Sequence, residues 1–516
     1  MSWSLELLDE LKSKRKESES GGGVVKIEKE HAKGKLTARE RMSALYDEGR
    51  FTEIEKYRKP RIEDKELEKK RYYGDGVVCG YGKVNGITVY AASQDATVSG
   101  GAGGEAHVEK ICRTLELAIK SKKPFVQLCD SGGARIEEGI RSLSAYSRLF
   151  WLNTQASGYI PQIAAIMGNC AGGSAYSPAM CDLLFMVEGT AQFFITGPKV
   201  IKALTGEEVT MDELGGTDLH AAKSGQAGFI CKNDSECINR IREVLHYITF
   251  PKTSFKSDKK IDYSKMGDDI SEIVPQNKRK PYDVKEVIEN IADNKTVAEI
   301  SGRFAPNLVT ALIRIEGRTV GVVANQAMCM GGAIDCDAAD KCSRFVRFCD
   351  CFDIPLLVLV DVPGFFPGLE QEKKGILRHG SKILYSFAEA TVPKVSIILR
   401  KAYGGAYCAM NSKDIGADIV FAWPLCELAV MGGDGAVDVI YRKTISESDN
   451  PEQCREKLIE KYDMKYLNPY YAASCGFVDE VIEPNQTRSR LIEAFGALED
   501  KHINPMVIKK HGNIAL

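Results

Sequence analysis

The stretches "KPFVQLCDSGG" (Lys123 to Gly133) and "IPLLVLVDVPG" (Ile354 to Gly364) decide the fold, because they share one register 231 positions apart. Each contains a proline, a run of mostly apolar residues, an aspartate and a glycine-containing loop. A short apolar run bounded by Pro and Gly is typical of a strand that is buried on both faces. We therefore predict two related units, in which Asp130 and Asp361 end equivalent strands.

Other blocks of the two halves keep this register, with a single slip of one residue. The matched positions are Gly86 with Gly317, Gln94 with a near match at Gln326, Gly100–Gly101 with Gly331–Gly332, and Gly172–Gly173 with Gly404–Gly405. Two unrelated α/β domains that use the same turn residues are the alternative explanation. A constant offset over such a length favours an internal repeat.

Strand-like and helix-like segments alternate within each half, which predicts an α/β fold with parallel pairing. Between the halves, the segment Phe250–Asp283 is charged and has little periodicity, so it is predicted to be a surface linker. The predicted domains are residues 1–258 and residues 259–516.

Composition excludes several classes of function. The net charge is −2 and no dense basic stripe is present, so a nucleic-acid partner is not expected. No apolar run approaches the roughly 20 residues of a membrane helix, and the N-terminus lacks a signal-peptide core, so the protein is predicted to be cytoplasmic. The sixteen cysteines form no CxxC pair and the seven histidines show no metal spacing, so most cysteines are expected to be buried and no metal is expected.

Paired glycines follow an apolar strand and precede a helix in both halves, at Gly172–Gly173 and at Gly404–Gly405. The first N–H groups of a helix lack intrahelical acceptors, and glycine lets a substrate oxygen approach the backbone closely. Such donors can form an oxyanion hole that stabilises developing negative charge. Glycines required only for packing of a tight turn are the alternative.

A phosphate-binding function and a serine-hydrolase function have less support from the sequence. The segment "SGGAGGEAH" (Ser99 to His107) is similar to a phosphate cradle, but GxGxxG in its proper context and GxxxxGK[ST] are both absent. Ser177 in "YSPA" lacks the GxSxG context of a hydrolase nucleophile.

The whole set of motifs resembles the carboxyltransferase subunits of biotin-dependent acyl-CoA carboxylases, including the propionyl-CoA carboxylase β and methylmalonyl-CoA decarboxylase α types. The motifs include "DSGGARIEEGI", "GNCAGGSAYSPAMCD", "FFITGP", "LVDVPGFFPGLEQE", "RKAYGGAYCAM" and "AVMGGDGAV". The resemblance implies two tandem crotonase-like domains of the ββα-superhelix type and a homo-hexamer. It also implies that the N-terminal domain of one subunit binds acyl-CoA and faces a neighbour's C-terminal domain, which receives biotin.

The resemblance further implies a mechanism in which carboxybiotin and the α-carbon of a short-chain acyl-CoA exchange a carboxyl group through an enolate. The propionyl-CoA/methylmalonyl-CoA pair is expected, and the acetyl-CoA/malonyl-CoA pair stays open. By resemblance, the N–H groups of Gly172 and Gly173 hold the enolate oxygen, and those of Gly405 and Ala406 hold the ureido oxygen of biotin. The remaining implied site residues are Gly132, Gly133, Ala134, Arg135, Ala171, Tyr176 and Cys408 for the substrate, and Gly364, Phe365 and Gly404 for the biotin side.

The chain lacks the Met-Lys-Met attachment signal for biotin and any ATP-grasp motif. The resemblance therefore implies that biotin arrives on a biotin carboxyl carrier protein or domain, with a biotin carboxylase subunit or a membrane decarboxylase subunit as a further partner. Association with a membrane would occur only through that partner. Carboxylase, decarboxylase and transcarboxylase activities all remain open.

Two positions depart from the pattern of the family. Cys408 stands where propionyl-CoA-preferring members usually have Asp, which leaves the acyl preference open, and Gly228 stands where many relatives have an acidic residue or His. Arg135 is expected to organise its loop by pairing with Glu137 or Glu138 rather than to perform chemistry. A biotin-independent acyl-CoA hydratase or isomerase and a non-catalytic scaffold are the competing functions.

Overall fold

The computed structural model describes residues 4–61, 71–249, 270–503, 507 and 509–515. The chain forms two compact units, Met1–Thr249 and Phe250–Leu516. The boundary predicted between residues 258 and 259 lies outside the described residues, as does the predicted linker up to residue 269. The prediction of a surface linker is wrong for residues 270–283, because Ile270, Val274 and Tyr282 are buried in the core of the second unit.

The first unit contains eight strands and ten α-helices in its described part. The strands are β1 (Phe51–Ile54), β2 (Val77–Val84), β3 (Ile87–Gln94), β4 (Phe125–Ser131), β5 (Gln162–Ala171), β6 (Leu183–Val187), β7 (Gln192–Phe194) and β8 (Phe229–Cys231). The helices are α1 (Leu5–Glu19), α2 (Val24–His31), α3 (Ala38–Leu45), α4 (Glu105–Ser121), α5 (Ile140–Ala156), α6 (Gly173–Ala179), α7 (Pro198–Thr205), α8 (Met211–Gly215), α9 (Thr217–Ala222) and α10 (Asp234–Thr249).

The second unit repeats this strand order over its described residues. The strands are β9 (Val297–Ile300), β10 (Leu308–Ile315), β11 (Arg318–Asn325), β12 (Leu356–Val362), β13 (Lys394–Tyr403), β14 (Ile419–Ala422), β15 (Glu427–Ala429) and β16 (Glu480–Val481). The helices are α11 (Ile270–Ile273), α12 (Val284–Ile291), α13 (Cys336–Cys351), α14 (Leu369–Lys374), α15 (Ile376–Glu389), α16 (Gly404–Ala409), α17 (Gly433–Ile440), α18 (Arg442–Ser446), α19 (Pro451–Tyr466), α20 (Pro469–Ser474) and α21 (Thr487–Ala497).

Each unit is built on one sheet with the same topology. The first sheet has the order β1-β2-β3-β4-β5-β6-β8 with β7 paired to β5, and the second has the order β9-β10-β11-β12-β13-β14-β16 with β15 paired to β13. The three strands at one end pair antiparallel, and the strands from β3 to β8 and from β11 to β16 pair parallel. The predicted α/β fold and the internal repeat are confirmed.

Both sheets bulge at the predicted aspartates. The β4–β5 register shifts between Cys129 and Ser131, and the β12–β13 register shifts between Val360 and Val362, so Asp130 and Asp361 lie within equivalent irregularities. A bulge bends the strand and redirects the residues beyond it. The bulges therefore shape the carboxyl edge of each sheet, where open parallel α/β sheets usually bind ligands.

The cores are apolar, as the strand pattern predicts. Buried side chains of β3, β4, α4 and α5 pack together in the first unit, and those of β10 to β13, α12 and α21 do so in the second. Eleven of the sixteen cysteines are buried, which confirms their expected role as small core residues. In the described part of the chain, no helix has both the length and the apolar character required to cross a bilayer. The cytoplasmic location stays a prediction.

Candidate active site

The loops that follow β4 and β12 share a hydrogen-bond pattern. In the first unit, the N–H of Gly103 donates to the carbonyl oxygen of Gly133 at 2.8 Å, and the N–H of Arg135 donates back to Gly103 at 2.9 Å. In the second, Ile334 donates to Gly364 at 3.1 Å, and Phe366 donates back to Ile334 at 2.8 Å. These loops correspond as the repeat predicts, and they place Ala134 and Phe365 at equivalent bridge positions.

Gly133 lies close to the end of the neighbouring strand. Its φ of +105° favours glycine, and a Cβ atom there would be 2.9 Å from the carbonyl oxygen of Ala171. Gly132 donates its N–H to Gly100 at 3.0 Å. The structure therefore brings three of the predicted substrate-side residues, Gly132, Gly133 and Ala171, to one edge of the first sheet.

Buried ion pairs fix the two aspartates, but the cations come from different elements. Asp361 pairs with Arg400 of β13, whose Nη2 is 3.0 Å from Oδ2. At the position matched to Arg400, the first unit has Gly168, where a Cβ would be 2.0 Å from Oδ1 of Asp130. Asp130 instead pairs with Arg41 of α3 at 3.1 Å and with Lys35 at 2.7 Å. The sequence motifs did not indicate that the cationic partner of the aspartate differs between the two units.

The Arg135 side chain is committed to its own loop. Its Nη1 lies 2.7 Å from Oδ1 of Asp75 and 2.8 Å from Oε1 of Glu138, and its Nη2 donates to the carbonyl oxygen of Ala102 at 2.9 Å. The side chain is 5% exposed. The expected pairing with Glu138 is confirmed, and the guanidinium is buried in an ion network on which the predicted substrate loop depends.

Two buried groups beside Arg135 have shifted pKa values. Burial raises the pKa of the Asp75 carboxyl to about 6, and the guanidinium of Arg135 opposes that effect. Burial lowers the pKa of His107 to about 3. His107 contacts the carbonyl oxygen of Asp75 through Nδ1 at 2.8 Å and the side-chain amide of Gln94 through Nε2 at 3.2 Å. A neutral imidazole that donates from Nδ1 and accepts at Nε2 satisfies both contacts.

The first glycine turn lies between β5 and α6. Gly172 adopts φ +57° and ψ −129°, and its N–H donates to the carbonyl oxygen of Phe194 in β7 at 3.1 Å. This differs from the prediction that the Gly172 N–H binds a substrate oxygen, because a single N–H that is already paired is a poor second donor. Gly173 and Ser174 are the first residues of α6, so their N–H groups have no acceptor within the helix.

The second glycine turn has the same form between β13 and α16. Gly404 adopts φ +59°, close to the φ of Gly172, and Gly405 and Ala406 follow within the first turn of α16. A Cβ atom on Gly405 would meet no atom within 4 Å, so this glycine faces open space. On the same short helix, Cys408 is exposed and Ala406 is buried.

Aromatic side chains surround the predicted site residues. Tyr146 of α5 lies beneath the first turn, where a Cβ on Gly173 would be 3.6 Å from its ring. Phe150 connects Tyr146 to Tyr176 through ring contacts of 6.1 Å and 5.8 Å between centroids, and Tyr176 is 46% exposed. A row of aromatic side chains therefore lies beside the first turn, and its last member, Tyr176, has an accessible phenol.

Phe365, which the resemblance assigns to the biotin side, packs against a neighbouring helix. Its ring lies against Gly380 of α15, where a Cβ would be 2.9 Å from the ring. The described residues include no group of His, Cys, Asp and Glu that could hold a metal ion. The absence of a metal from the function stays a prediction.

Residues next to the two turns differ in charge, which the motifs did not indicate. The parallel pairing aligns Asn169 with Gln192 in the first unit and Lys401 with Glu427 in the second. Tyr403, at the end of β13, donates its hydroxyl to Glu427. The second turn therefore has ionisable neighbours where the first has amides.

Known proteins resemble the chain over its whole length. The carboxyl transferase domain matches residues 29–514. The methylmalonyl-CoA decarboxylase subunit alpha of Propionigenium modestum is 47% identical over 100% of both chains. The carboxyltransferase subunit of propionyl-CoA carboxylase from Haloferax mediterranei is 47% identical over 99% of both.

A solved structure agrees with these sequence relatives. The crystal structure of transcarboxylase 12S, a hexamer with methylmalonyl-coenzyme A and methylmalonic acid bound, superposes with a TM-score of 0.95 at 45% identity, over 100% of this chain and 99% of that one. The two tandem crotonase-like units are therefore the shared architecture. The family match and the full-length identities show that this chain belongs to the carboxyl transferase domain family.

Proposed function

We propose that this chain moves a carboxyl group between biotin on a carrier protein and the α-carbon of a short-chain acyl-CoA, with propionyl-CoA and methylmalonyl-CoA as the leading pair. The observation that carries the proposal is the pair of equivalent glycine turns, one in each unit of a carboxyl transferase fold. A reaction in which charge develops on two different oxygens requires two sets of donors, and the repeat offers one set in each unit.

The first turn is proposed to serve the acyl-CoA. When the bond between the carboxyl group and the α-carbon breaks, its electron pair moves into the thioester and the carbonyl oxygen becomes an enolate oxygen. Because the Gly172 N–H is paired with Phe194, we assign the donors to Gly173 and Ser174 at the start of α6. Gly172 is assigned to the shape of the turn.

The second turn is proposed to serve biotin, and its residues fit that group. Gly405 faces open space, so the ureido carbonyl oxygen of biotin can reach the N–H groups of Gly405 and Ala406 without meeting a side chain from that position. When bound, biotin takes up CO₂ at its ureido nitrogen and releases the proton that the α-carbon receives. Gly364 and Phe365, which follow β12, are proposed to border the same edge.

The acyl-CoA is proposed to contact the residues around α6 of the first unit. Gly132, Gly133, Ala134 and Ala171 line the edge that an acyl-CoA would approach, and Arg135 acts by holding this loop in place. Tyr176 is accessible and is proposed to limit the acyl chain, and the accessible thiol of Cys408 is proposed to do so from the second unit of a neighbouring subunit.

The partners are proposed from the names of the relatives, which are subunits of larger enzymes. A biotin carrier protein, together with a biotin carboxylase subunit or a membrane decarboxylase subunit, is proposed because biotin must be brought to this chain. A homo-hexamer is proposed because transcarboxylase 12S, a 45% identical relative, is a hexamer.

One experiment tests the reaction. The purified protein is mixed with methylmalonyl-CoA or malonyl-CoA, with and without biotin methyl ester, and the CoA species are followed by mass spectrometry. We expect biotin-dependent formation of propionyl-CoA or acetyl-CoA. Lack of turnover with both substrates contradicts the proposal, and hydration of an enoyl-CoA without biotin favours the hydratase alternative.

A further inference from the structure

Three ionisable residues stand on β13 and β15, next to the second glycine turn in the chain or in the sheet, at positions that hold uncharged residues in the first unit. The pairing of β13 with β15 aligns Lys401 with Glu427, and the equivalent pairing of β5 with β7 aligns Asn169 with Gln192. Two residues further along β13 stands Tyr403, on the same face as Lys401 because side chains alternate along a strand. The two units share the backbone of the turn but not the charge beside it.

The acidic groups next to Lys401 are already neutralised. Glu427 is 3% exposed, forms an ion pair with Lys278 and accepts the Tyr403 hydroxyl. Asp361 is fully buried and pairs with Arg400 through two nitrogens, at 3.0 Å and 3.1 Å.

The Lys401 ammonium lacks such a partner. Its backbone N–H donates to Oδ1 of Asp361 at 3.1 Å, but within the part of the chain that the structure describes its Nζ has no hydrogen bond or ion pair. The side chain is half-buried, and partial burial lowers its pKa, with the charge of Asp361 opposing and that of Arg400 adding to the effect. Burial raises the pKa of Tyr403, and the charges of Asp463, Asp361 and Asp434 add to that effect. Among the described residues, no carboxylate is therefore left to pair with the Lys401 ammonium.

We infer that Lys401 is an anion-binding residue that receives the carboxylate carried on the biotin side. The inference rests on the proposed function and assigns this chain's charge recognition to the second unit. An enolate oxygen needs only N–H donors, whereas a full carboxylate is held more tightly by a charge-assisted hydrogen bond from an ammonium.

Binding of two stable probes tests this role without catalysis. The probes are N1-carboxymethyl-biotin methyl ester, which presents a carboxylate, and its uncharged amide. Their affinities are measured by calorimetry for the wild type, Lys401→Met, Lys401→Arg and the control Lys443→Met, whose side chain is 87% exposed. A charge-assisted contact predicts that the wild type prefers the acid by about tenfold or more.

The expected pattern is specific to charge. Lys401→Met loses the preference for the acid, while Lys401→Arg and Lys443→Met keep it, and all three bind propionyl-CoA as the wild type does. Retention of the preference in Lys401→Met, or equal binding of both probes by the wild type, overturns the inference. Transfer from methylmalonyl-CoA to biotin methyl ester by the wild type is measured in parallel, so failure of the proposed function is seen separately.

Discussion

The N–H of Gly172 donates to the carbonyl oxygen of Phe194 at 3.1 Å, which ties the first glycine turn to β7. Because its N–H is used in this bond, Gly172 shapes the turn, and the donors for a ligand come from the residues that follow it. Gly172 provides a backbone conformation, with φ +57° and ψ −129°, and the residue after it starts the helix that presents free donors. Gly404 of the second unit has a similar φ of +59°, and there it is the first residue of α16.

Gly172→Ala is expected to strain the first turn. A non-glycine residue in this conformation costs on the order of 1–3 kcal/mol, so the midpoint of urea unfolding should decrease and carboxyl transfer should decrease with it. Gly173→Ala is the matched control for stability, because a Cβ there would meet the Tyr146 ring at an ordinary 3.6 Å. Equal unfolding midpoints for the two variants would contradict this division of duties.

Removing Arg400 should destabilise the second unit. Arg400→Leu leaves the fully buried Asp361 carboxylate without its partner, which costs about 3–5 kcal/mol for a broken buried pair. Asp361→Asn combined with Arg400→Leu removes both charges and should recover part of that loss. Urea unfolding of both variants checks this, and a double variant that is less stable than Arg400→Leu would be the contrary result.

His107 and Asp75 should give the first unit opposing pH dependences. Because the pKa of His107 is lowered to about 3, its contribution to stability is present above pH 6.5, the unfolded value, and is lost as the pH falls towards 3. Because the pKa of Asp75 is raised to about 6, its contribution is present below pH 3.8 and is lost as the pH rises through 6. Between about pH 6 and 4 the two effects oppose each other.

His107→Gln separates these effects, since Gln keeps hydrogen-bonding capacity without titrating. As the pH is lowered from 6.5 to 4.5, the stability of the variant relative to the wild type should rise, by at most about 1.4 kcal/mol per pH unit. Urea unfolding followed by hydrogen exchange of α4 measures this in the first unit. Identical pH profiles for the variant and the wild type would show that His107 does not titrate as described.

Cys408→Asp should change the acyl preference rather than the fold. Cys408 is exposed on α16, so the substitution requires no buried space. We expect the ratio of kcat/KM for methylmalonyl-CoA to that for malonyl-CoA to increase by about tenfold or more, since a pocket difference of one methylene is worth about 1–3 kcal/mol, or roughly 10–200-fold. An unchanged ratio would show that Cys408 does not contact the acyl group.

The repeat was predictable because buried parallel strands and glycine turns leave strong local signals. The apolar runs predicted two equivalent strands, and the structure confirms them at Phe125–Ser131 and Leu356–Val362. The near match of Gln94 with Gln326 was wrong by one residue. In the structure, the counterpart of Gln94 is Asn325. Gln94 accepts a hydrogen bond from the N–H of Asp130, and Asn325 accepts one from the N–H of Asp361, at 3.2 Å in both units.

The charged surroundings of the turns could not be read from the motifs. Arg41 and Asp130 are 89 positions apart, and their ion pair depends on how α3 packs beside the sheet. Lys401 lies inside the RKAYGGAYCAM motif. Among the described residues, its ammonium has no partner because Lys278 pairs with Glu427 and Arg400 pairs with Asp361. Local patterns report backbone geometry, whereas the charge of a site is a property of tertiary packing.

The most direct test of the account is carboxyl transfer by Gly405→Val. A Cβ at this position meets no atom within 4 Å, so the variant should fold with the stability of the wild type, and Gly496→Ala, at an equally open position, is the control. We predict that biotin-dependent conversion of methylmalonyl-CoA to propionyl-CoA falls by about 10²-fold or more, because the side chain blocks the approach to the donors of α16. A folded Gly405→Val variant with wild-type transfer activity would contradict the central claim that this turn holds the reacting group.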